Sequence, residues 1–293
     1  MIKTRRQILG QHFLHNRGIL EKIVRAVEPG KDELVIEIGP GRGALTFLLA
    51  ERAGRVVALE RDGRLVPVLR ERAPSNLEIV EADALRVSFR DLASGRVHLE
   101  GEPASRFSLP TLAAASCGAC LPVVKLAGNL PYSISSPLLF KVLEDPGLFT
   151  RCVFLLQKEF ALRICARHGS KRFAPLSILL QNRFEARILF SVSPASFSPP
   201  PKVDSALVRL ERRPQPLYAS EDEAGFRLYL QSAFHQRRKT LWNNLAAAGA
   251  AEASLEAAFH RLDLDVRLRA EALPAEAHFR LCQSLRSAYG RRG

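Results

Sequence analysis

The run Gly128-Asn129-Leu130-Pro131-Tyr132 holds the residue types that a difficult methyl transfer to nitrogen would need. An exocyclic amine is a poor nucleophile because its lone pair is delocalised into the ring. The amide oxygen of Asn129 and a backbone carbonyl of the loop can each accept one amine hydrogen. Two such acceptors favour the tetrahedral, positively charging nitrogen of a transition state over the planar ground state. Pro131 stiffens the loop, and Tyr132 offers a ring on which a base can stack. An Asn-x-Pro turn is common by itself, so this one gains meaning only from its surroundings.

A second set of residues could hold the methyl source. Gly39-x-Gly41-x-x-Ala44 follows the apolar run Leu34-Val35-Ile36-Glu37-Ile38 and leads into a helical stretch from Ala44 to Ala53. A strand, a small-residue turn and a helix N-terminus form a general nucleotide-binding arrangement, with backbone N–H groups facing the ligand. Glu60, at the end of the next strand candidate, could accept hydrogen bonds from two ribose hydroxyls. Asp83, after the third, could accept the exocyclic amine of an adenine, or equally cap a helix. This much fits NAD and S-adenosylmethionine alike. Glu37 would repel a pyrophosphate and so mildly favours S-adenosylmethionine, which has no phosphate and carries a sulfonium cation.

Strand candidates from Leu34 to Ile38, Val56 to Glu60, Leu77 to Val80, Val123 to Ala127 and Cys152 to Leu156 alternate with helical stretches. That alternation predicts a doubly wound α/β sheet. The Asn129 loop directly follows one of these strands, at the carboxyl edge where such folds bind ligands. Ahead of the first strand, Ile19, Leu20, Ile23, Val24 and Val27 mark an amphipathic helix behind a basic tail. Pro199, Pro200 and Pro201 require extended chain, and a last strand is expected from Ala206 to Leu210. Beyond Pro214 and Pro216 the pattern is helical only, chiefly from Phe226 to Leu245 and from Ala253 to Leu262. Two domains follow: an α/β domain over 1–213 and an all-helical one over 214–293. The stretch of about 92–122 shows no period and reads as a surface insertion, since unstructured connections beyond ~15 residues are uncommon.

The 293 residues carry 43 Lys and Arg against 30 Asp and Glu, a net charge of +13 that favours a polyanionic partner. His235-Gln236-Arg237-Arg238-Lys239 could contact phosphates on a helix of the small domain, or be a solvated helix face. Trp242 and Leu245 are expected to pack its core. No apolar stretch approaches the roughly 20 residues of a membrane span, and the first ten residues lack a secretory apolar region, so no membrane role and a cytoplasmic location are expected. Cys117 and Cys120 form a lone CxxC without a second pair, so no metal is expected, and the five scattered cysteines suit a reducing compartment.

With these residues in order, the chain resembles the small-subunit ribosomal RNA adenine N6,N6-dimethyltransferase family. The segments that carry the likeness are GQHFLHN at 10–16, EIGPGRGALT at 37–46, ALERD at 58–62, EADAL at 81–85 and GNLPYSISSPLLF at 128–140. FLLQKEFALRI at 154–164, SFSPPPKVDSALVRL at 196–210 and FHQRRKTLWNNL at 234–245 continue it. The resemblance implies a Rossmann-like S-adenosylmethionine-dependent methyltransferase sheet with a small C-terminal helical domain. It places His12, Leu14, Gly39, Gly41, Glu60, Asp83 and Asn129 around the cofactor, and sets Phe197 over the target adenine opposite Tyr132. It further implies dimethylation of two adjacent adenosines in the 3′-terminal hairpin of small-subunit rRNA, on a late assembly intermediate. A monomer is expected. Position 12 is His where many relatives carry Asn, and the 92–122 spacer is longer than is usual. Three rivals stand beside this reading. They are a large-subunit methyltransferase of the macrolide-resistance type, a non-catalytic assembly factor on the same fold, and an NAD dehydrogenase, which leaves Asn129 to Tyr132 unexplained.

Overall fold

The structure is a computed structural model that describes residues 12–97, 105–106, 123–219 and 222–285. The basic N-terminal tail to position 11, most of the expected insertion (98–104 and 107–122) and the Cys117/Cys120 pair lie outside the described residues. The chain divides into two compact units, 1–161 with 185–212, and 162–184 with 213–293.

The first unit is built on a seven-stranded sheet. Its strands in chain order are β2 (Glu33–Ile38), β3 (Arg55–Glu60), β4 (Leu77–Glu81), β7 (Val123–Asn129), β8 (Phe149–Gln157), β9 (Phe184–Val192) and β11 (Ser205–Arg212). Two-residue strands take the remaining numbers: β1 (Phe13–Leu14), β5 (Arg96–Val97), β6 (Ser105–Arg106) and β10 (Phe197–Ser198). Across the sheet the order is β4-β3-β2-β7-β8-β11-β9. The pairs β2/β3, β3/β4, β2/β7 and β7/β8 are parallel, and β11 runs antiparallel to β8. Leu34, Val35, Ile36, Val56 and Val57 are fully buried, as expected of parallel strands covered on both faces. Each such side chain contributes roughly 1.5–3 kcal/mol relative to exposure.

Helix α1 (Arg17–Val27) starts where the Asn16 side chain accepts the Ile19 N–H at 3.1 Å, and it buries Leu20, Ile23, Val24 and Val27. These are the spacings that the sequence predicts. The expected helix over 44–53 is shorter, α2 (Thr46–Ala50), because the glycine turn continues to Leu45 before regular helix begins. At the insertion's start, Leu92 is fully buried in a short helix (Phe89–Ala93), and β5 pairs antiparallel with β6.

The second unit is helical around an apolar core that includes Phe226, Tyr229, Leu245, Phe259 and Phe279, with Trp242 packed against it. One sequence expectation fails here. Instead of one helix from Phe226 to Leu245, there are two, α3 (Glu223–Ala233) and α4 (Leu241–Ala247). Thr240 caps the second by accepting the Asn243 N–H at 3.2 Å. The buried Asn244 amide donates to the Ala233 and Gln236 carbonyls at 2.9 and 3.1 Å and accepts the Gln236 N–H at 3.2 Å. These bonds offer the backbone an alternative to helix. His235 to Lys239 therefore lie on an exposed turn between helices and not on a helix face. No helix among the described residues is long and apolar enough to cross a membrane.

Candidate functional site

The carboxyl ends of β2, β3, β4 and β7 converge on a cavity of about 400 Å³. The cavity straddles the point where successive strands leave β2 on opposite sides, the usual ligand crevice of a doubly wound sheet. Gly39, Gly41, Glu60, Asp83, Asn129, Leu130, Pro131, Tyr132 and Phe197 all line it, with His12 and Leu14. Every site residue expected from the sequence is thus brought to one cavity, although the strand ends that supply them span more than a hundred positions.

Gly41 shows why a side chain is excluded from the turn. Its φ is +59°, and a Cβ there would sit 2.9 Å from the Phe13 ring. Its N–H donates to Glu60 Oε2 at 2.9 Å, while the Asp62 N–H donates to Oε1 at 2.9 Å. Glu60 is 4% exposed, and burial raises its carboxyl above the ordinary range against the pull of those two N–H groups. The Arg61 N–H also acts on this carboxylate, which lines the cavity where a diol could reach it. Asp83 is divided between two tasks: Oδ1 accepts the Leu85 N–H at 3.0 Å, and Oδ2 lies 3.3 Å from Arg61 Nη1.

The wall facing the glycine turn comes from the N-terminal strand. β1 pairs antiparallel with β10, matching Phe13 to Ser198 and Leu14 to Phe197. His12 Nδ1 lies 2.8 Å from the Pro199 carbonyl, which can only accept, so Nδ1 carries a proton. The His12 carbonyl in turn accepts from Asn129 Nδ2 at 2.8 Å. That contact sets the amide: the nitrogen faces His12 and Oδ1 is left as an acceptor. In the same loop the Pro131 carbonyl already takes the Ile134 N–H at 3.1 Å and the Ser135 hydroxyl at 3.2 Å. That leaves other carbonyls of the loop, such as that of Leu130, to act beside Asn129.

The Tyr132 ring lies 6.0 Å from the His12 ring at 31°. Burial raises its hydroxyl above the ordinary value, opposed by a hydrogen bond to Ser205. Phe197 is 4% exposed and belongs to the main core cluster while also lining the cavity. Sequence reasoning missed Phe13 and Ser205. Phe13 packs through a glycine that has no side chain to signal it, and Ser205 acts through a hydroxyl that any strand start could carry.

The lining suits S-adenosylmethionine better than a dinucleotide. Glu37 and Glu60 are both buried carboxylates at the cavity, and Glu37 Oε2 has no hydrogen-bond partner. Burial raises both carboxyls, Glu37 to about 8, and a nearby cation would favour their charged forms where a pyrophosphate would oppose them. Glu60 and Asp83 would hold the nucleoside, and the glycine turn would hold the amino-acid end.

Comparison with known proteins agrees with this chemistry. The family model for ribosomal RNA adenine dimethylase matches residues 2–286. A relative from Geobacter sulfurreducens, Ribosomal RNA small subunit methyltransferase A, is 38% identical over 289 residues, covering 97% of this chain and 96% of its own. Among solved structures, a dimethyladenosine transferase from Plasmodium falciparum superposes with a TM-score of 0.73 at 26% identity, over 94% of this chain and 98% of the other. The 23S rRNA methyltransferase ErmE gives 0.65 at 27% identity, over 93% and 99%.

Proposed function

The chain belongs to the ribosomal RNA adenine dimethylase family, and from that membership we propose that it dimethylates N6 of two adjacent adenosines in the 3′-terminal hairpin of small-subunit rRNA. It is an rRNA adenine dimethyltransferase with a Rossmann-like sheet, and its methyl donor is S-adenosylmethionine. The small-subunit target follows the Geobacter relative, which is more similar to this chain than the 23S enzyme is. The working form we infer is a cytoplasmic monomer acting on a late assembly intermediate of the subunit.

The observation that carries the reading is the oriented amide of Asn129, with Oδ1 left as an acceptor at the cavity. When bound, S-adenosylmethionine supplies an electrophilic methyl group on a sulfonium centre. The target base leaves its stack to reach the pocket, where Tyr132 and Phe197 present aromatic surface. Asn129 Oδ1 and the Leu130 carbonyl each accept one N6 hydrogen, drawing the nitrogen lone pair out of conjugation. Once N6 bonds to the methyl carbon it is cationic and acidic, so its proton passes to solvent without a dedicated base. In the second round only one N6 hydrogen remains, and one of the two acceptors suffices.

Tritiated S-adenosylmethionine tests this with undermethylated small subunits, large subunits and naked DNA as acceptors. Label confined to small-subunit rRNA, at two adjacent adenosines, is expected. Label only in large-subunit RNA would overturn the target, and no label despite cofactor binding would favour a non-catalytic assembly factor.

A further inference from the structure

The strand β8 governs both ends of Tyr132. In the β7/β8 ladder Asn129 stands opposite Leu155, and the Leu155 carbonyl accepts the Leu130 N–H at 3.2 Å. Two residues further along β8, Gln157 stands opposite Ser205, the first residue of β11. Lys158 then fastens the start of β11 twice. Its N–H donates to the Asp204 carbonyl at 3.0 Å, and its Nζ lies 3.4 Å from Asp204 Oδ2. Ser205 is 3% exposed, lines the cavity, and shares a hydrogen bond with the Tyr132 hydroxyl.

The rest of the ring is less constrained. Tyr132 is half-buried, and the tilted His12 ring 6.0 Å away bounds one side of it without clamping it. The loop backbone is held by the Leu130 bond and by the turn in which the Pro131 carbonyl takes the Ile134 N–H at 3.1 Å. Backbone bonds leave both side-chain torsions of a tyrosine free, and each rotamer well aims the ring differently. A working site needs its groups held to within about 10–20°, by packing and by hydrogen bonds from behind. The hydroxyl is the ring's single polar atom, and Ser205 is what it meets. We propose that Ser205 is a positioning residue for methyl transfer, its hydroxyl holding the Tyr132 ring in the orientation that receives the target adenine.

A serine kept only to satisfy a buried polar group predicts a different pattern, in which its loss weakens the fold and every function together. Three strands, β2, β7 and β8, separate β11 from β3, which carries Glu60. Loss of the Ser205 hydroxyl should therefore spare cofactor binding and act on transfer alone.

The inference rests on Tyr132 being the platform for the base, and a set of variants separates the two claims. Single-turnover transfer of tritiated methyl to undermethylated small subunits is measured at saturating cofactor, with calorimetry of S-adenosylhomocysteine binding on the same preparations. Ser205→Ala should slow transfer by about two- to tenfold, the span of one hydrogen bond, and leave S-adenosylhomocysteine affinity within about twofold of the wild type. Tyr132→Phe keeps the ring and deletes the same bond from its other end, so it should slow transfer equally. In the double variant the losses should not add, because both changes remove one interaction. Additive losses, transfer at the wild-type rate in Ser205→Ala, or an equal fall in S-adenosylhomocysteine affinity would overturn the positioning role. Should Ser205→Ala fail to fold, Tyr132→Phe decides alone, and the wild-type rate in that variant overturns the proposal. Tyr132→Ala tests the premise: full transfer without the ring would overturn the platform reading and this inference with it.

Discussion

Asn129 Nδ2 donates to the main-chain carbonyl of His12 at 2.8 Å, a bond across 117 positions of sequence that decides which end of the amide is left as an acceptor. Because a carbonyl cannot donate, the nitrogen is held there and Oδ1 is aimed elsewhere. Asn129→Ala removes both the oriented acceptor and the anchor. Methyl transfer to small-subunit RNA should fall at least about 100-fold, by analogy with the loss of one oriented polar group from a transition state. Asn129 is only half-buried, so the melting temperature should change little. Full activity in the variant, measured by tritium incorporation, would refute the loop mechanism.

Gly128, one residue earlier, is held to its identity by a backbone atom. A Cβ there would lie 2.6 Å from the Ile38 carbonyl oxygen on the neighbouring strand and 3.1 Å from Leu130 Cδ2. The strands β2 and β7 cannot part locally without breaking their ladder, so Gly128→Ala should destabilise by about 1–3 kcal/mol, as overpacking does. The same shift would displace Asn129, so kcat should drop more than the residual folded fraction explains. Thermal unfolding and single-turnover transfer on one preparation would separate these effects.

Much of this site is legible in the sequence because strand ends are. Glu60, Asp83 and Asn129 each close an apolar run, and parallel strands deliver such residues to one edge. What stays hidden acts through the backbone or through absence. His12 holds the Asn129 amide through its carbonyl, which every residue possesses, and the contact of Gly41 with Phe13 depends on a side chain that is missing. The strand Phe184–Val192 escapes notice because it lies at the edge of the sheet and most of its length is only partly buried, which leaves no continuous apolar run. The break between Phe226 and Leu245 coincides with the wholly polar run 235–240, which a solvated helix face could equally carry, while what holds the turn is a buried amide, Asn244.

His278 gives the helical unit an acid-sensitive core. Its Nε2 lies 2.9 Å from the Ala270 carbonyl and must donate to it, so Nδ1 accepts the Tyr229 hydroxyl at 2.9 Å. The ring is fully buried, and burial lowers its pKa from 6.5 to about 4, opposed by the Ala270 bond. Between those values the unfolded chain binds a proton that the folded unit refuses, so stability rises with pH there and is lost as pH falls from 6.5 toward 4. The loss should be on the order of 3 kcal/mol for this group. His278→Phe should be less stable at neutral pH, because the Tyr229 hydroxyl loses its acceptor, yet it should lose less on acidification. Urea unfolding at pH 7 and pH 4.5 for both proteins would check this. Parallel losses would show that His278 is not the group responsible.

The turn from Phe234 to Thr240 should govern RNA affinity through its shape as well as its charge. Arg238 and Lys239 are exposed on it, while Arg237 Nη1 is engaged with the Lys171 carbonyl at 2.8 Å. If Arg238 meets a phosphate, Arg238→Gln should weaken binding to rRNA fragments of any sequence and lower the slope of log affinity against log salt by about one. Asn244→Ala leaves every charge in place and removes the three hydrogen bonds that hold the turn. It should destabilise by about 1–3 kcal/mol for the buried partners left unmade. In conditions where it remains folded, RNA affinity should fall by as much as in Arg238→Gln. Filter binding across 50–300 mM salt distinguishes the cases, where ~0.1 M already shortens electrostatic range to about 10 Å. Unchanged affinity in Asn244→Ala would mean that net charge alone suffices, and an unchanged salt slope in Arg238→Gln would remove the turn from the RNA interface.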